Sequence, residues 1–353
     1  MKTLLTSLLL CVLSASLDLQ AQSFNYSDFT STAGLALNGS AAQGSPVPPE
    51  TSTVLRLMDG FGSNGQASSA WFHQIVPVAG GFSVNFTFNI NSCRGAACAD
   101  GFAFVVQNSA AATAALGGFG GYLGYAYDDL HNLPGIEDSL AIEFDDFQNH
   151  DFNDPNAHHM AAQSCGTEQN TANHLRCNLS LANISFDLQT NASHRVEIAY
   201  VPGSLYTTID NRLLMTTPVD LSALLSLNSG AAYIGFTSGS GSWGENADIL
   251  NWSYSTRYNA FGTVTSSSNP SDLGQPVTFT ATLKARFPGI STPTGQVRFL
   301  DGSTLLATET LSAGQATFTT SDLIAGSHNI KVAYSGDTIF NPSSLVPLTQ
   351  VVQ

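Results

Sequence analysis

The stretch LAIEFDDFQNHDFNDPNAHH, residues 140–159, decides how the rest of this sequence is interpreted. Its first half begins as a strand, and side chains two positions apart on a strand share one face. Glu143, Asp145 and Asn149 are therefore predicted to project to one side of an extended strand, with Phe147 between them. The Asp154–Pro155 step then favours a turn that brings the chain back toward that face. Three carboxylates, an amide and an imidazole suit divalent cations better than a core, because buried charges need partners. The candidate ligands are Glu143, Asp145, Phe147, Asn149, Asp154 and His159.

The N-terminus has the pattern of a signal peptide over residues 1–21. A short basic start is followed by an apolar run over residues 4–13 and by small and polar residues that end near Ala21. This run is too short to cross a bilayer, and no other segment is apolar enough to do so. We therefore expect a secreted or cell-surface protein without a membrane span.

Four of the five cysteines lie outside this N-terminal segment, as two close pairs. Export and an even number favour the disulfides Cys93–Cys98 and Cys165–Cys177. The spacings do not fit a zinc ribbon. Four free thiols are the alternative that the sequence leaves open.

The charge of the chain argues against two classes of partner. The net charge is −15, and only 10% of the residues are charged, against roughly 25% in typical domains. Nucleic acid and anionic membrane surfaces would be repelled, so we expect neither as a partner. With so few charges elsewhere, the acidic run after residue 142 stands out.

Short runs rich in Val, Phe, Tyr and Thr, broken by Gly, Asn, Ser and Pro, predict β-strands over residues 23–258. One short helix is predicted over residues 219–227, opened by Pro218. Many strands joined by turns indicate an all-β sandwich or barrel. The predicted strands lie at 81–90, 101–107, 139–147, 194–201, 204–210 and 231–238.

The sequence pattern changes after residue 258. Strand-like runs of five to seven residues there alternate with turn signals such as NPSDLGQ, DGS and AGS. The order of VTFTATL, TPTGQVRFLDG, GQATFTTSDLIAGSHNIKVAYSGD and NPSS resembles the bacterial Ig-like repeats of secreted surface proteins. The resemblance implies an immunoglobulin-like β-sandwich over residues 259–353 that serves as a spacer.

Residues 23–258 resemble the legume (L-type) lectins, which implies a concanavalin A-like jelly-roll sandwich that binds sugars. Several separate stretches match the family in its own order, which is stronger evidence than any one of them alone. They are FNYSDF…LALNGSA (24–41), CADGFAFVVQ (98–107), GGYLGYA (120–126), LAIEFDDFQNHDFNDPNAHH (140–159) and DILNWSY (248–254).

The resemblance implies two bound ions. A transition metal, usually manganese (Mn²⁺), would be surrounded by Glu143, Asp145, Asp154 and His159. Calcium (Ca²⁺) would be held by Asp145, the Phe147 carbonyl, Asn149 and Asp154. The donor types agree with this division, because calcium takes hard oxygens and an imidazole suits a first-row transition ion. His158 is adjacent to His159, but the spacing favours His159; the other histidines, such as His73 and His194, are interpreted as ordinary strand or loop residues.

The resemblance also implies a carbohydrate site at Asp100, Gly121 and Asn149, with a cis peptide bond between Ala99 and Asp100. A carboxylate accepts from sugar hydroxyls, and an amide both donates and accepts. The ring of Phe147 would stack on the sugar, or pack in the core instead. Trp243 lies in the loop that tunes specificity in the family, and either stacks on a second sugar or packs under that loop.

Two other functions compete with a non-catalytic, calcium-dependent lectin that binds glycans or glycoconjugates. Glycoside hydrolases of the same fold carry E-x-D-x-x-E on a strand, but the last position here is Gln148, which cannot act as an acid. A structural adhesion protein, with ions but no sugar binding, is the second alternative. Many relatives pair through a flat back sheet, so a homodimer is a further expectation.

Overall fold

A computed structural model describes residues 23–60, 65–94 and 98–353 of the chain. The predicted signal peptide, residues 1–21, lies outside these ranges. No helix of the described residues is long and apolar enough to cross a membrane. The prediction of an all-β chain is confirmed, because strands dominate both halves of the described sequence.

Sixteen strands form the first domain, together with one short α-helix, α1 (Leu221–Leu224), in the described residues. Their bounds are β1 Ser23–Tyr26, β2 Leu35–Gly39, β3 Ala42–Gly44, β4 Val54–Met58, β5 Gln66–Phe72, β6 Val76–Pro77, β7 Phe82–Arg94, β8 Gly101–Gln107, β9 Ser139–Asp145, β10 His159–Gln163, β11 Asn178–Asn183, β12 Ser193–Val201, β13 Gly203–Ile209, β14 Arg212–Val219, β15 Ala231–Ser240 and β16 Gly244–Ser255.

These strands make two eight-stranded sheets that pack face to face. The back sheet has the order β14-β13-β12-β7-β16-β4-β3, with β1 beside β16; the front sheet has the order β11-β10-β9-β8-β15-β5-β2, with β6 beside β15. Phenylalanines from both sheets fill the space between them, as in the stacked pair Phe102–Phe144, whose ring centres lie 4.9 Å apart. This is the sandwich that the alternating strands predict.

The predicted helix at 219–227 is wrong in its bounds. Pro218 and Val219 belong to strand β14, and the helix begins only after Asp220, whose side chain accepts from the amides of Ser222 and Ala223. It ends at Leu224, because the next residue, Leu225, is extended. An aspartate cap therefore starts this helix, and strand pairing claims the residues before it.

Eight further strands form the C-terminal Ig-like domain in two sheets, β17-β18-β21 and β20-β19-β22-β23, with β24 beside β22. Their bounds are β17 Ala260–Ser266, β18 Val277–Ala285, β19 Gln296–Asp301, β20 Thr304–Thr310, β21 Gln315–Thr320, β22 Gly326–Tyr334, β23 Ser343–Ser344 and β24 Leu348–Val352.

The Ig-like domain rests on the outer face of strands β12 and β13. Tyr206 stacks on Phe287 with ring centres 4.8 Å apart, and Arg286 Nη1 lies 2.8 Å from Glu197 Oε2. Tyr206 and Ala199 belong to the same buried cluster as the core of the Ig-like domain. This contact covers part of the back sheet, on which the expected homodimer would depend.

Candidate metal centre and adjoining carbohydrate site

Strand β9 separates an apolar face from an acidic one. Phe144 packs in the core between the sheets, whereas Glu143 and Asp145 project to the opposite side, because side chains alternate along a strand. The neighbouring strand β10 pairs His159 with Asp145. Two carboxylates and one imidazole therefore share a face, and all three side chains are buried.

The strand ends at Asp145, earlier than the two-residue spacing predicts. Asp145 Oδ1 accepts from the backbone amide of Phe147 at 2.9 Å, a local bond that competes with strand pairing. Phe147 and Asn149 thus lie beyond the strand, and the prediction that they extend it is wrong. The chain nevertheless brings Asp154 back to this region, since its Oδ2 accepts from the backbone amide of Asn149 at 2.5 Å.

Two histidines, not one, face the carboxylates. His159 Nε2 lies 3.6 Å from Glu143 Oε1. His174 Nε2 lies 3.2 Å from Glu143 Oε1, 3.2 Å from Asp154 Oδ1 and 3.0 Å from His159 Nε2. His158 points elsewhere, toward Asp187 at 3.6 Å.

The sequence predicts only an ordinary strand or loop residue at His174, as at the other histidines apart from His159. His174 lies in the loop closed by the second cysteine pair, where no spacing rule connects it to strand β9. One signal for a further metal ligand was available: His174 lies between two paired cysteines, in the loop that follows the acidic motif. Burial lowers the pKa of His174, but the carboxylates of Asp154 and Glu143 outweigh it and hold that pKa above its ordinary value.

Two buried oxygens in this cluster have no hydrogen-bond partner among the residues that the structure describes. They are Glu143 Oε1 and Asn149 Oδ1. The other Glu143 oxygen accepts from the Tyr125 hydroxyl at 2.6 Å. Buried polar atoms normally have partners, so two orphaned acceptors beside carboxylates and imidazoles fit bound cations.

Burial and like charge dominate the electrostatics of the cluster. Burial, with the charges of Asp154 and Glu143, raises the pKa of Asp145 well above its ordinary value. Burial and the Glu143 carboxylate likewise raise the pKa of Tyr125. Carboxylates held this close are costly in the ionised form unless a cation compensates them.

Asp100 lies beside these candidate metal ligands. The peptide bond between Ala99 and Asp100 is cis, as the family resemblance implies. Its Oδ1 accepts from Asn149 Nδ2 at 3.2 Å and its Oδ2 accepts from the amide of Gly241 at 3.0 Å. Burial raises the pKa of Asp100 to about 7, although these two bonds oppose the shift. Asn149 thus touches Asp100 with its nitrogen and leaves its oxygen for another partner.

Gly121 is packed against the same asparagine. A Cβ atom at Gly121 would lie 2.6 Å from Asn149 Oδ1 and 2.7 Å from the ring of Phe152. A side chain at this position would have to displace Asn149 or Phe152. Asp100, Gly121 and Asn149, which are distant in sequence, therefore meet at one place.

A surface depression of about 800 Å³ opens beside Gly121 and Asn149. Asp100 is buried next to it and is not part of its lining. Asn149, Gly121 and Phe147 line it, and Phe147 is half-buried. Trp243 is half-buried in the turn between β15 and β16 and is not part of the lining. Further aromatic rings complete the wall: Phe119, Tyr122, Tyr127 and Phe152.

Both predicted disulfides are present. The Cα atoms of Cys93 and Cys98 lie 4.8 Å apart, and those of Cys165 and Cys177 lie 5.0 Å apart. The first bridge precedes Asp100 by two residues, and the second closes the loop that carries His174. Each bridge thus constrains chain next to the candidate site.

Comparison with known proteins gives two family matches. The legume lectin domain matches residues 21–270, and the bacterial Ig-like domain (group 3) matches residues 264–353. The seed lectin beta chain of Spatholobus parviflorus is 26% identical over 183 residues, which cover 50% of this chain and 70% of that relative.

Solved structures show the same fold. The lectin from Bauhinia forficata in complex with GalNAc has a TM-score of 0.52 and 22% identity, over 67% of this chain and 97% of that one. Lectin I-B4 from Griffonia simplicifolia, in its metal-free form, has a TM-score of 0.52 and 18% identity, over 66% and 98%. The jelly-roll prediction for the first domain is thereby confirmed.

Proposed function

This chain belongs to the legume lectin domain family, and from that membership and the geometry of its site we propose that it is an exported, non-catalytic, calcium-dependent lectin. Its ligands are glycans or glycoconjugates bound in the depression beside Asn149. The Ig-like domain carries the lectin domain as a spacer.

One observation carries this proposal: the side chain of Asn149 connects Asp100 to the metal cluster. Its nitrogen donates to Asp100 Oδ1 at 3.2 Å, while its buried oxygen has no partner in the described chain. A calcium ion takes amide and carboxylate oxygens. An ion on Asn149 Oδ1 would fix this amide and, through it, Asp100.

Calcium would be held by oxygens of Asp145, Asn149 and Asp154 and by the Phe147 carbonyl. A second ion, of the transition series, would be held by Glu143, Asp145, Asp154 and His159. The two ions would share Asp145 and Asp154, so that the positive charges compensate buried carboxylates that otherwise repel one another.

The sugar contacts follow from donor and acceptor types. Ionised Asp100 offers two oxygens to sugar hydroxyls, and the backbone amide of Gly121 offers a donor. The rings of Phe147 and the other aromatic residues that line the depression offer apolar faces for the C–H side of a sugar ring. Trp243 lies outside the lining, so its proposed role is limited to a second sugar of a longer glycan.

A carboxyl pair for hydrolysis is not part of this proposal. The position of a second glutamate is filled by Gln148, whose amide nitrogen donates to the carbonyl of Asp154 at 3.2 Å. An amide cannot transfer a proton to a leaving group at neutral pH. We therefore assign binding without turnover.

A glycan array tests the proposal. The mature protein is loaded with calcium and manganese, applied to the array, stripped with EDTA and applied again. We expect binding to one class of sugar that disappears with EDTA and returns with calcium. Folded, metal-loaded protein that binds no glycan would overturn the proposal in favour of a structural role.

A further inference from the structure

His174 brings a second imidazole to the metal cluster from outside the β9–β10 face. Its ring is 5% exposed, and its Nε2 faces Glu143 Oε1 and Asp154 Oδ1 at 3.2 Å each. Although Glu143 Oε1 is this close, it makes no hydrogen bond within the described residues. His159 Nε2 lies 3.6 Å from the same Glu143 oxygen.

The spacing of these atoms matches that of ligands around one ion. Ligand atoms about 2.1 Å from a metal lie about 3.0 Å apart at a right angle and about 3.4 Å apart at the tetrahedral angle. The two Nε2 atoms are 3.0 Å apart. His174 Nε2 lies 3.2 Å from both Glu143 Oε1 and Asp154 Oδ1, and His159 Nε2 lies 3.6 Å from Glu143 Oε1. A single ion can therefore contact both imidazoles.

The outer nitrogens of both rings are held so that each Nε2 lone pair faces inward. His159 Nδ1 lies 3.0 Å from the carbonyl of Asn156, an acceptor that fixes the proton on Nδ1. His174 Nδ1 lies 3.0 Å from Gln163 Nε2, while Gln163 Oε1 has no hydrogen-bond partner in the described residues. Because the two ends of an amide can exchange, Gln163 Oε1 is the natural acceptor for Nδ1–H. Such outer partners orient metal-bound histidines.

The loop that carries His174 is anchored at this position. The amide of His174 donates to the carbonyl of Phe152 at 2.9 Å, which ties the loop to the metal motif. The Cys165–Cys177 bridge closes the same loop at its base. His174 is therefore presented to the cluster by local structure rather than by a flexible tail.

We propose that His174 is a direct ligand of the transition metal, so that this site has two imidazoles and three carboxylates and prefers zinc, cobalt or nickel over manganese. Affinity generally rises from manganese to the later metals, and an imidazole in place of water strengthens that preference. The inference rests on the metal site of the proposed function, but it makes no use of sugar binding.

The test compares metal preference and ligand number in three variants. Protein without a tag is dialysed against equal concentrations of Zn²⁺ and Mn²⁺ with calcium present, and its bound metals are measured by mass spectrometry. X-ray absorption of the zinc-loaded protein then counts the imidazoles. The variants are His174→Gln, Gln163→Leu and the control His158→Gln, which alters a neighbouring histidine outside the cluster.

We expect two imidazoles and a zinc preference in the unaltered protein and in His158→Gln. Gln163→Leu should lose about 10–100-fold in zinc affinity, the usual cost of removing an outer partner. His174→Gln should retain one imidazole and lose more zinc affinity than Gln163→Leu. One imidazole in the unaltered protein, or an unchanged metal preference in His174→Gln, would overturn the proposal. Calcium-dependent glycan binding would survive that result, so the two failures are distinguishable.

Discussion

Asn149 Nδ2 donates a hydrogen bond to Asp100 Oδ1 at 3.2 Å, across 49 residues of sequence. This bond joins the proposed sugar acceptor to the proposed calcium ligand. The orientation of Asp100 is therefore coupled to whatever occupies Asn149 Oδ1. The same coupling underlies the predictions that concern sugar binding.

Asp100→Asn should abolish sugar binding and leave metal-dependent stability intact. The substitution keeps the shape of the side chain but removes the charge that strengthens its bonds to sugar hydroxyls, each of which contributes about 1.5–3 kcal/mol. We expect a loss of roughly 100-fold or more in affinity, measured by calorimetry.

The control is Asp322→Asn, the same change at an exposed position of the Ig-like domain. It should bind like the unaltered protein. Sugar affinity in Asp100→Asn within a factor of two of the control would show that Asp100 is not an acceptor.

Gly121→Ala should disrupt sugar binding and calcium binding together. The new Cβ would lie 2.6 Å from Asn149 Oδ1, so the asparagine has to move and its position at both sites is lost. Gly80→Ala is the matched control, because a Cβ there meets nothing within 4 Å. Calcium titration and a glycan-binding assay measure the two effects; calcium affinity equal to that of the control would contradict the assigned position of Asn149.

The metal-free protein should become less stable as pH rises from about 4 to 7. Burial raises the pKa of Asp100 from 3.8 to about 7 and raises that of Asp145 well above 3.8. In this window the folded state holds protons that the unfolded state has released, so the free energy of unfolding falls with rising pH, by up to about 1.4 kcal/mol per pH unit for each group.

Urea denaturation in EDTA at several pH values measures this slope. Added calcium should flatten or reverse it, because the ion competes with the protons and stabilises the ionised carboxylates. Asp100→Asn should reduce the slope in EDTA. A metal-free protein whose stability rises across the window would contradict the assigned burial of these acids.

Removing the second disulfide should weaken the transition-metal site as well as the fold. The double variant Cys165→Ala/Cys177→Ala loses the closure of a loop of about a dozen residues, a stabilisation of about 3 kcal/mol. It also frees the loop that presents His174. Thermal unfolding with and without zinc should show that zinc stabilises the variant less than the unaltered protein. An equal rise in unfolding temperature in both proteins would show that the bridge does not support the metal site.

The alternation of strand β9 was predictable from the sequence, because the period of two places Leu140, Ile142 and Phe144 in the core and leaves the acids on the other face. Its end was not. The side chain of Asp145 accepts a hydrogen bond from the backbone amide of Phe147. Such a bond cannot be predicted from the pattern of hydrophobic residues.

The site could be assembled from sequence only where the family motif supplied the correspondence. Asp100, Gly121 and Asn149 share no periodicity. They meet because strands β8 and β9 pair and the loop that contains Gly121 packs against Asn149. His174 shows the limit of such a motif, since its position depends on a disulfide-closed loop that the metal motif does not contain.

The reciprocal effect of calcium and sugar tests the central claim most directly. Calorimetry would measure the affinity for the array-identified sugar at several calcium concentrations, and the affinity for calcium with and without that sugar. If Asn149 links the two sites, calcium strengthens sugar binding and the sugar strengthens calcium binding by the same factor. Sugar binding that is unchanged in calcium-free protein would contradict the account.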